Sequence, residues 1–238
     1  MGAIVLFSGC SGLLQPEQAH TSAFLGADAA KLDQQSGLWI SEPLQAQLQG
    51  NSDQYTQVLI RPVDTEYLMK IQDWSKIQVL SEDEIREEAK KLAVYMKTEF
   101  EAPFVKGQVR NFRLVESPGP NTLVMEMAIT ELVPTDVARN AAGDVLGFLV
   151  PGGGLVSAGA GGSIAMEFRL VDGETGDNLA LGKDRRVDQI TPVDIAGLTP
   201  YRHTEVNVQS WAKDFAAVLN GDIEPDKIAF EPFRLSPW

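Results

Sequence analysis

Between Ser81 and Phe100 the chain carries a pattern that one kind of backbone satisfies. Ser81-Glu82-Asp83-Glu84 has the S-x-x-E form of a capping box, in which serine and glutamate side chains bond the free N–H groups at a helix start. Ile85, Ala89, Leu92, Met96 and Phe100 then recur at the three- and four-residue spacing of one helical face. Arg86, Glu87, Lys90, Lys91 and Lys97 fall on the opposite side and read as a solvated face. An amphipathic helix over about 81–100 cannot stand alone, because its apolar stripe needs another layer to cover it.

The covering layer is legible in the period-two stretches. Leu123, Met125, Met127 and Ile129 alternate with more mixed residues. Ile164, Met166, Phe168 and Leu170 alternate with Glu167 and Arg169. Both are signals of strands buried on one side. Tyr55 to Val63 (YTQVLIRPV) is β-rich and mostly apolar, the mark of a buried strand stopped at Pro62. Phe112 to Glu116 is a further strand, running into the turn residues Ser-Pro-Gly-Pro-Asn. Gly173-Glu174-Thr175-Gly176 reads as a hairpin turn into a strand holding Leu179 and Leu181. Leu38-Trp39-Ile40 is a strand or turn. A last helix runs from about Thr204 to Asn220, with Val208, Trp211, Ala212, Phe215 and Leu219 on one face and Asn220-Gly221 as its stop. Pro225, Pro232 and Pro237 follow in an irregular tail. The order β-α-β-β-β-β-α predicts a two-layer α+β fold: a mainly antiparallel sheet packed against two helices. With no long linker in the middle, residues 24–238 form one domain.

The N-terminus speaks to location. Ala3 to Phe7 resembles the end of a signal-peptide apolar region, and Ser8 and Gly9 are the small residues that precede a cut. Met1-Gly2 carries no Lys or Arg and the run is short, so residues 1–9 read as a signal-peptide remnant. Leu6-Phe7-Ser8-Gly9-Cys10 resembles the bacterial lipobox. That resemblance implies a diacylglyceryl group on the Cys10 thiol, cleavage before Cys10, and an acyl chain such as palmitate on the new amine. Two or more chains give stable attachment where one is marginal. Ser11, in place of Asp, implies the outer membrane. Residues 10–23 are then a lipidated, polar stalk.

The lipobox, the Tyr-x-x-Val-x-Ile-x-Pro-Val strand (Tyr55 to Val63), Arg169-Leu170-Val171-Asp172-x-x-Thr175-Gly176 and the terminal helix with Trp211 occur in a telling order. Together they resemble bacterial lipoproteins of domain-of-unknown-function family 3313, over most of residues 10–220. The resemblance implies envelope localisation and brings no catalytic residues.

Chemistry is notable for what is missing. A net charge of −13 repels phosphate, which argues against nucleic acid and against docking on anionic headgroups. One cysteine excludes an internal disulfide and a cysteine-rich zinc site. His20 and His203 are isolated, and form no H-E-x-x-H site. Ser157 lacks the leading glycine of a G-x-S-x-G elbow. The glycines of 152–162 fit neither phosphate-binding pattern. Asp172, Glu174 and Asp177 bunch on one turn without EF-hand spacing and read as a solvated hairpin tip. Asp184, Asp188 and Asp194 are scattered, though carboxylates can still meet in a fold. Val145 to Met166, with no charge at all, is long enough for a membrane span but holds Pro151 and the Gly152-Gly153-Gly154 run. It reads as a glycine-rich connection between strands, the other possibility being a membrane-touching or self-associating segment.

These features converge on a non-enzymatic, lipid-anchored envelope protein, a binding or assembly module on the periplasmic side of the outer membrane. No cofactor and no metal is expected. Its partner would be another envelope protein or a second copy. The competing reading is an anchored periplasmic hydrolase or metal-dependent enzyme whose carboxylates assemble in the fold.

Overall fold

The computed structural model describes residues 21–34, 36–71, 82–133, 148–150, 154–156, 163–187 and 202–224. Cys10, Ser81, Ser157, Asp188 and Asp194 lie outside them, as does most of the glycine-rich segment. A six-stranded sheet takes the order β1-β8-β7-β4-β2-β3. Its strands are β1 (Leu38–Ile40), β2 (Gln57–Ile60), β3 (Arg113–Leu114), β4 (Thr122–Val133), β7 (Ser163–Asp172) and β8 (Asn178–Val187). A separate two-stranded ladder joins β5 (Phe148–Val150) to β6 (Gly154–Val156). The described residues hold four α-helices: α1 (Glu42–Leu48), α2 (Glu66–Ile71), α3 (Glu82–Val105) and α4 (Arg202–Leu219).

The sheet is mixed. Pairs β4–β7, β7–β8 and β1–β8 are antiparallel, whereas β2 is parallel to both β3 and β4. Consecutive strands β3 and β4 were expected to pair across the Ser-Pro-Gly-Pro-Asn turn; instead β2 lies between them. The helical crossover from β2 to β3 imposes the parallel direction. Because β3 is two residues long, the 115–121 connection can step over β2 to its far side. The β7–β8 hairpin forms where the sequence puts it. Asp172 Oδ1 accepts the Glu174 and Thr175 N–H groups at 2.8 and 2.9 Å, and Gly176 takes φ +79°.

The period-two face divides as expected up to Ile129, then changes hand. Register shifts between Ile129 and Glu131, leaving Thr130 as the extra residue of a bulge. Leu132 therefore returns to the core face, and Glu131 falls on the other. Without the bulge every later side chain of β4 would point the wrong way.

Helix α3 starts at Glu82, next to the expected cap, and passes the expected end at Phe100 by five residues. Pro103 sits in its last turn, and Gly107, at φ +68°, closes it. Ile85, Ala89, Leu92, Met96 and Phe100 are all buried. Lys90 and Lys91 pair with Glu87 and Glu88 on the exposed side. Helix α4 ends at Leu219, where Gly221 (φ +72°) and Asp222 donate back to Val218 and Ala217.

Tyr95 meets Gln209, Phe100 and Phe104 meet Phe215, and Arg110 meets Asn220 and Asp222. Contacts climbing both sequences together mean that α3 and α4 run in the same direction. Their buried residues join Leu123, Met125, Met127, Ile129, Ile164, Met166 and Leu170 in one hydrophobic core. A smaller cluster on the other face holds Phe24, Leu25, Ala128 and Leu181, with Trp39 and Tyr67 against it.

Candidate functional site

On the helix side of the sheet the described residues leave open internal space. Strand β8 presents Ala180, Gly182, Asp184 and Arg186 there in alternation. Its neighbour β7 presents Met166, Phe168 and Leu170. A side chain at Gly182 would collide with Phe168, since an added Cβ would stand 2.2 Å from that ring. The glycine thus lets the phenyl ring lie flat across β8. Helix α1 begins behind Ser41 with Pro43 in its first turn, where a missing N–H costs nothing. It brings Leu44 and Leu48 over the same area. Helix α4 adds Phe215, Val218 and Leu219, and β1 adds Leu38 and Ile40.

Together these residues bound a cavity of about 80 Å³ whose walls are almost entirely carbon.

The polar atoms of the wall collect at one corner. Trp211 Nε1 donates to Asp184 Oδ2 at 2.6 Å, and Arg186 Nε donates to the same oxygen at 3.0 Å. Arg186 Nη2 donates to Asp214 Oδ2 at 3.2 Å, and the guanidinium lies 5.2 Å from the Trp211 ring centre. Asp184 and Asp214 are 7% and 8% exposed, so each carboxylate is buried and needs the arginine. Sequence reading treated Asp184 as one of three scattered carboxylates. Its partner Asp214 is 30 positions away on a helix. Only the α4–β8 packing brings them together.

Two more buried carboxylates lie on the opposite face. Glu131 accepts Ser163 Oγ–H at 2.5 Å and Arg185 Nε–H at 2.9 Å. Glu167, 0% exposed, accepts the Ser22 N–H and hydroxyl, both at 2.5 Å. Burial pushes the Glu167 carboxyl above its ordinary range, against the pull of Ser22 and of Lys183. Burial likewise lowers the Lys183 ammonium, and Glu167 partly restores it. Glu167 was expected on a solvated strand face; residues 22–25 cover it. The folded body therefore takes in Ser22, within the stretch read as stalk.

The turn carboxylates behave as structure. Burial raises the Asp172 carboxyl, but donors from Thr175, Tyr55 and Glu174 outweigh it and leave the group below its ordinary range. Tyr55 O–H donates to Asp172 Oδ2 at 2.8 Å, and the phenol is pushed well up by burial and that bond. Among the described residues no three His, Cys, Asp or Glu side chains gather as a metal site would require. His203 falls inside α4, one residue past its start. Of the glycine-rich segment, the described parts are β5, β6 and the beginning of β7, so the connection contains a short antiparallel ladder.

A mixed sheet with helices and an apolar cavity defines the class by architecture and by no known chemistry. The chain belongs to the family described as protein of unknown function (DUF3313), whose model matches residues 26–215. No curated protein matches it. Among solved structures it is similar to a PelC dodecamer from Paraburkholderia phytofirmans, at 10% identity and a TM-score of 0.35, covering 71% of this chain and 88% of that one. It is also similar to the hypothetical protein CT253 from Chlamydia trachomatis, at 13% identity and a TM-score of 0.35, covering 70% and 96%. Lipoprotein GNA1162 from Neisseria meningitidis is more distant, at 14% identity and a TM-score of 0.24, covering 68% and 98%. Among the described residues no helix is long and apolar enough to cross a membrane.

Proposed function

We propose that the chain is a lipid-anchored module of the bacterial envelope, held by acyl chains on Cys10 at the periplasmic face of the outer membrane. It acts without catalysis, by binding another envelope protein or a second copy of itself. The observation that carries this reading is the fastening of Ser22 to Glu167. Behind that rooted point the lipobox-like Leu6 to Cys10 lies eleven positions from Thr21, a reach of about 38 Å when extended. That distance lets a folded body stand clear of the headgroups.

We read the body as two layers, the sheet and the α3–α4 pair, with residues 22–32 and α2 lying, among the described residues, against the second face. Among the described residues, the buried carboxylates Glu131, Glu167, Asp184 and Asp214 are each engaged with a donor, which favours the binding role.

The test is expression of the gene in a bacterial host, followed by intact-mass analysis of the membrane fraction. A mass increased by a diacylglyceryl and an N-acyl group is expected, together with loss of membrane partition for Cys10→Ser. An unmodified thiol, or a Cys10→Ser chain that still partitions with membranes, overturns the anchor. Sedimentation and in-cell crosslinking then separate a self-associating module from one that binds another protein.

A further inference from the structure

We propose that the cavity between α1, α4, β1 and the β7–β8 hairpin is a binding site for the alkyl chain of an uncharged amphiphile. The proposal concerns the folded body alone and stands whether or not Cys10 is acylated.

Three observations converge. The cavity is walled by carbon from separate elements, and apolar cavities of this kind stay dry and accept apolar guests. Its floor is kept low by residue choice on β8. Ala180 is small, and Gly182 lets the Phe168 ring lie where a side chain would otherwise stand. The same face of β8 then reaches Asp184 and Arg186, whose polar atoms turn to each other, to Trp211 and to Asp214, so the chain space ends against a hydrogen-bonded corner.

Charge and wall chemistry also select the head. The whole chain carries −13, so an anionic head is repelled. An ionised head would also lose its water against walls that are almost entirely carbon.

The alkyl chain is distinct from the chain's own anchor. The segment leading back to Cys10 is rooted at Ser22 on the other face of the sheet. The two lipid-related features therefore occupy opposite sides of the body.

Calorimetric titration of the full chain carrying Cys10→Ser, which has no acyl group to compete, tests this with the straight-chain alcohols from butanol to dodecanol and with decanoate. Affinity should rise about fourfold per added methylene and then level off once the tail fills the cavity. Decanoate should bind at least tenfold more weakly than decanol. Ala180→Leu and, separately, Leu48→Phe should each weaken decanol binding tenfold or more while keeping a cooperative melt. A measurement without substitution guards against variants that fail to fold. In spectra of methyl-labelled methionine, decanol should move the Met125 and Met166 signals, which line the cavity, and leave the other methionines in place. Overturning results are no binding by any alcohol, an affinity that climbs without levelling, decanoate binding as tightly as decanol, or shifts confined to other methionines.

Discussion

The two faces of the sheet are closed by different physics. The helix face is closed by area. Side chains from α3, α4 and alternate positions of β4 and β7 make one apolar core, with the Asp184–Arg186–Asp214 corner at its edge. The other face has a small apolar cluster, and its closure depends on charges. Glu126 meets Arg169 at 2.5 Å, Glu131 meets Arg185, and Glu167 meets Ser22. Apolar burial tolerates many partners of about the right size, whereas a buried carboxylate tolerates few. The first face supplies most of the buried apolar area. The second fixes one particular segment, residues 22–25, against β7.

The largest effect expected is on the helix face. Leu92→Asp puts an unpaired charge where a buried leucine sat, at 7% exposure. The cost, on the order of 4 kcal/mol or more, is comparable to the whole stability of an ordinary domain. Loss of the cooperative thermal transition in circular dichroism is the expected outcome. A variant that melts normally would mean that α3 does not bury this stripe.

The second face should respond next, and asymmetrically. Arg185→Met leaves Glu131 buried without its cation and should cost about 3–5 kcal/mol. Replacing both, as Glu131→Leu with Arg185→Met, should recover most of that loss, because no orphaned charge remains. Chemical denaturation of the two variants and the parent measures the difference. Equal losses in the single and double variants would show that the pair, and not the stranded carboxylate, carries the energy.

This contrast also explains what sequence could read. Elements governed by area left periodic traces: Ile85 to Phe100 at helical spacing, Leu123 to Ile129 at period two, and Val208 to Leu219 as the last helix. Caps and turns left local traces at Asn220-Gly221 and Gly173 to Gly176. The pairing of β2 with β4 left none, because strand order is a long-range outcome of the crossover. Thr130 gives no hint of a bulge, so the period-two signal stops at Ile129 although the strand continues to Val133. Helices α1 and α2, at seven and six residues, are too short for a periodic signal. The cavity depends on α1 and α4 meeting β8, and its carboxylates Asp184 and Asp214 meet only there. Ala180-x-Gly182-x-Asp184-x-Arg186 was the one available cue, a strand face that shifts from small to polar.

A smaller effect should follow Ser22→Ala. The hydroxyl donates to Glu167 Oε2 and accepts the Phe24 N–H at 3.0 Å, so its loss strips one charged bond and one turn bond. About 2 kcal/mol is expected for the charged bond, and the damage should stay local. Hydrogen exchange should accelerate at residues 22–25 while the amides of β4 and β7 keep their protection. Uniform acceleration would mean that the segment is integral to the core.

The smallest effect is a pH dependence, and it is the most specific to the second face. Glu167 has a folded-state carboxyl above its ordinary value, with burial as the leading cause. A raised value means that the folded chain holds its proton more tightly than the unfolded chain does. The resulting stabilisation is complete below the ordinary glutamate range and is lost as pH rises through the raised value. Glu167→Gln keeps an oxygen for the Ser22 N–H and carries no charge at any pH. Relative to that variant, the parent should lose stability as pH climbs from the ordinary carboxylate range toward neutrality, and then hold level. Denaturant midpoints of both proteins across that window give the difference directly and cancel the titration of all other groups. A parent that gains on the variant as pH rises would reverse the sign. Its cause would be that Ser22 and Lys183 outweigh burial, so that the face is closed by an ionised carboxylate and not in spite of one.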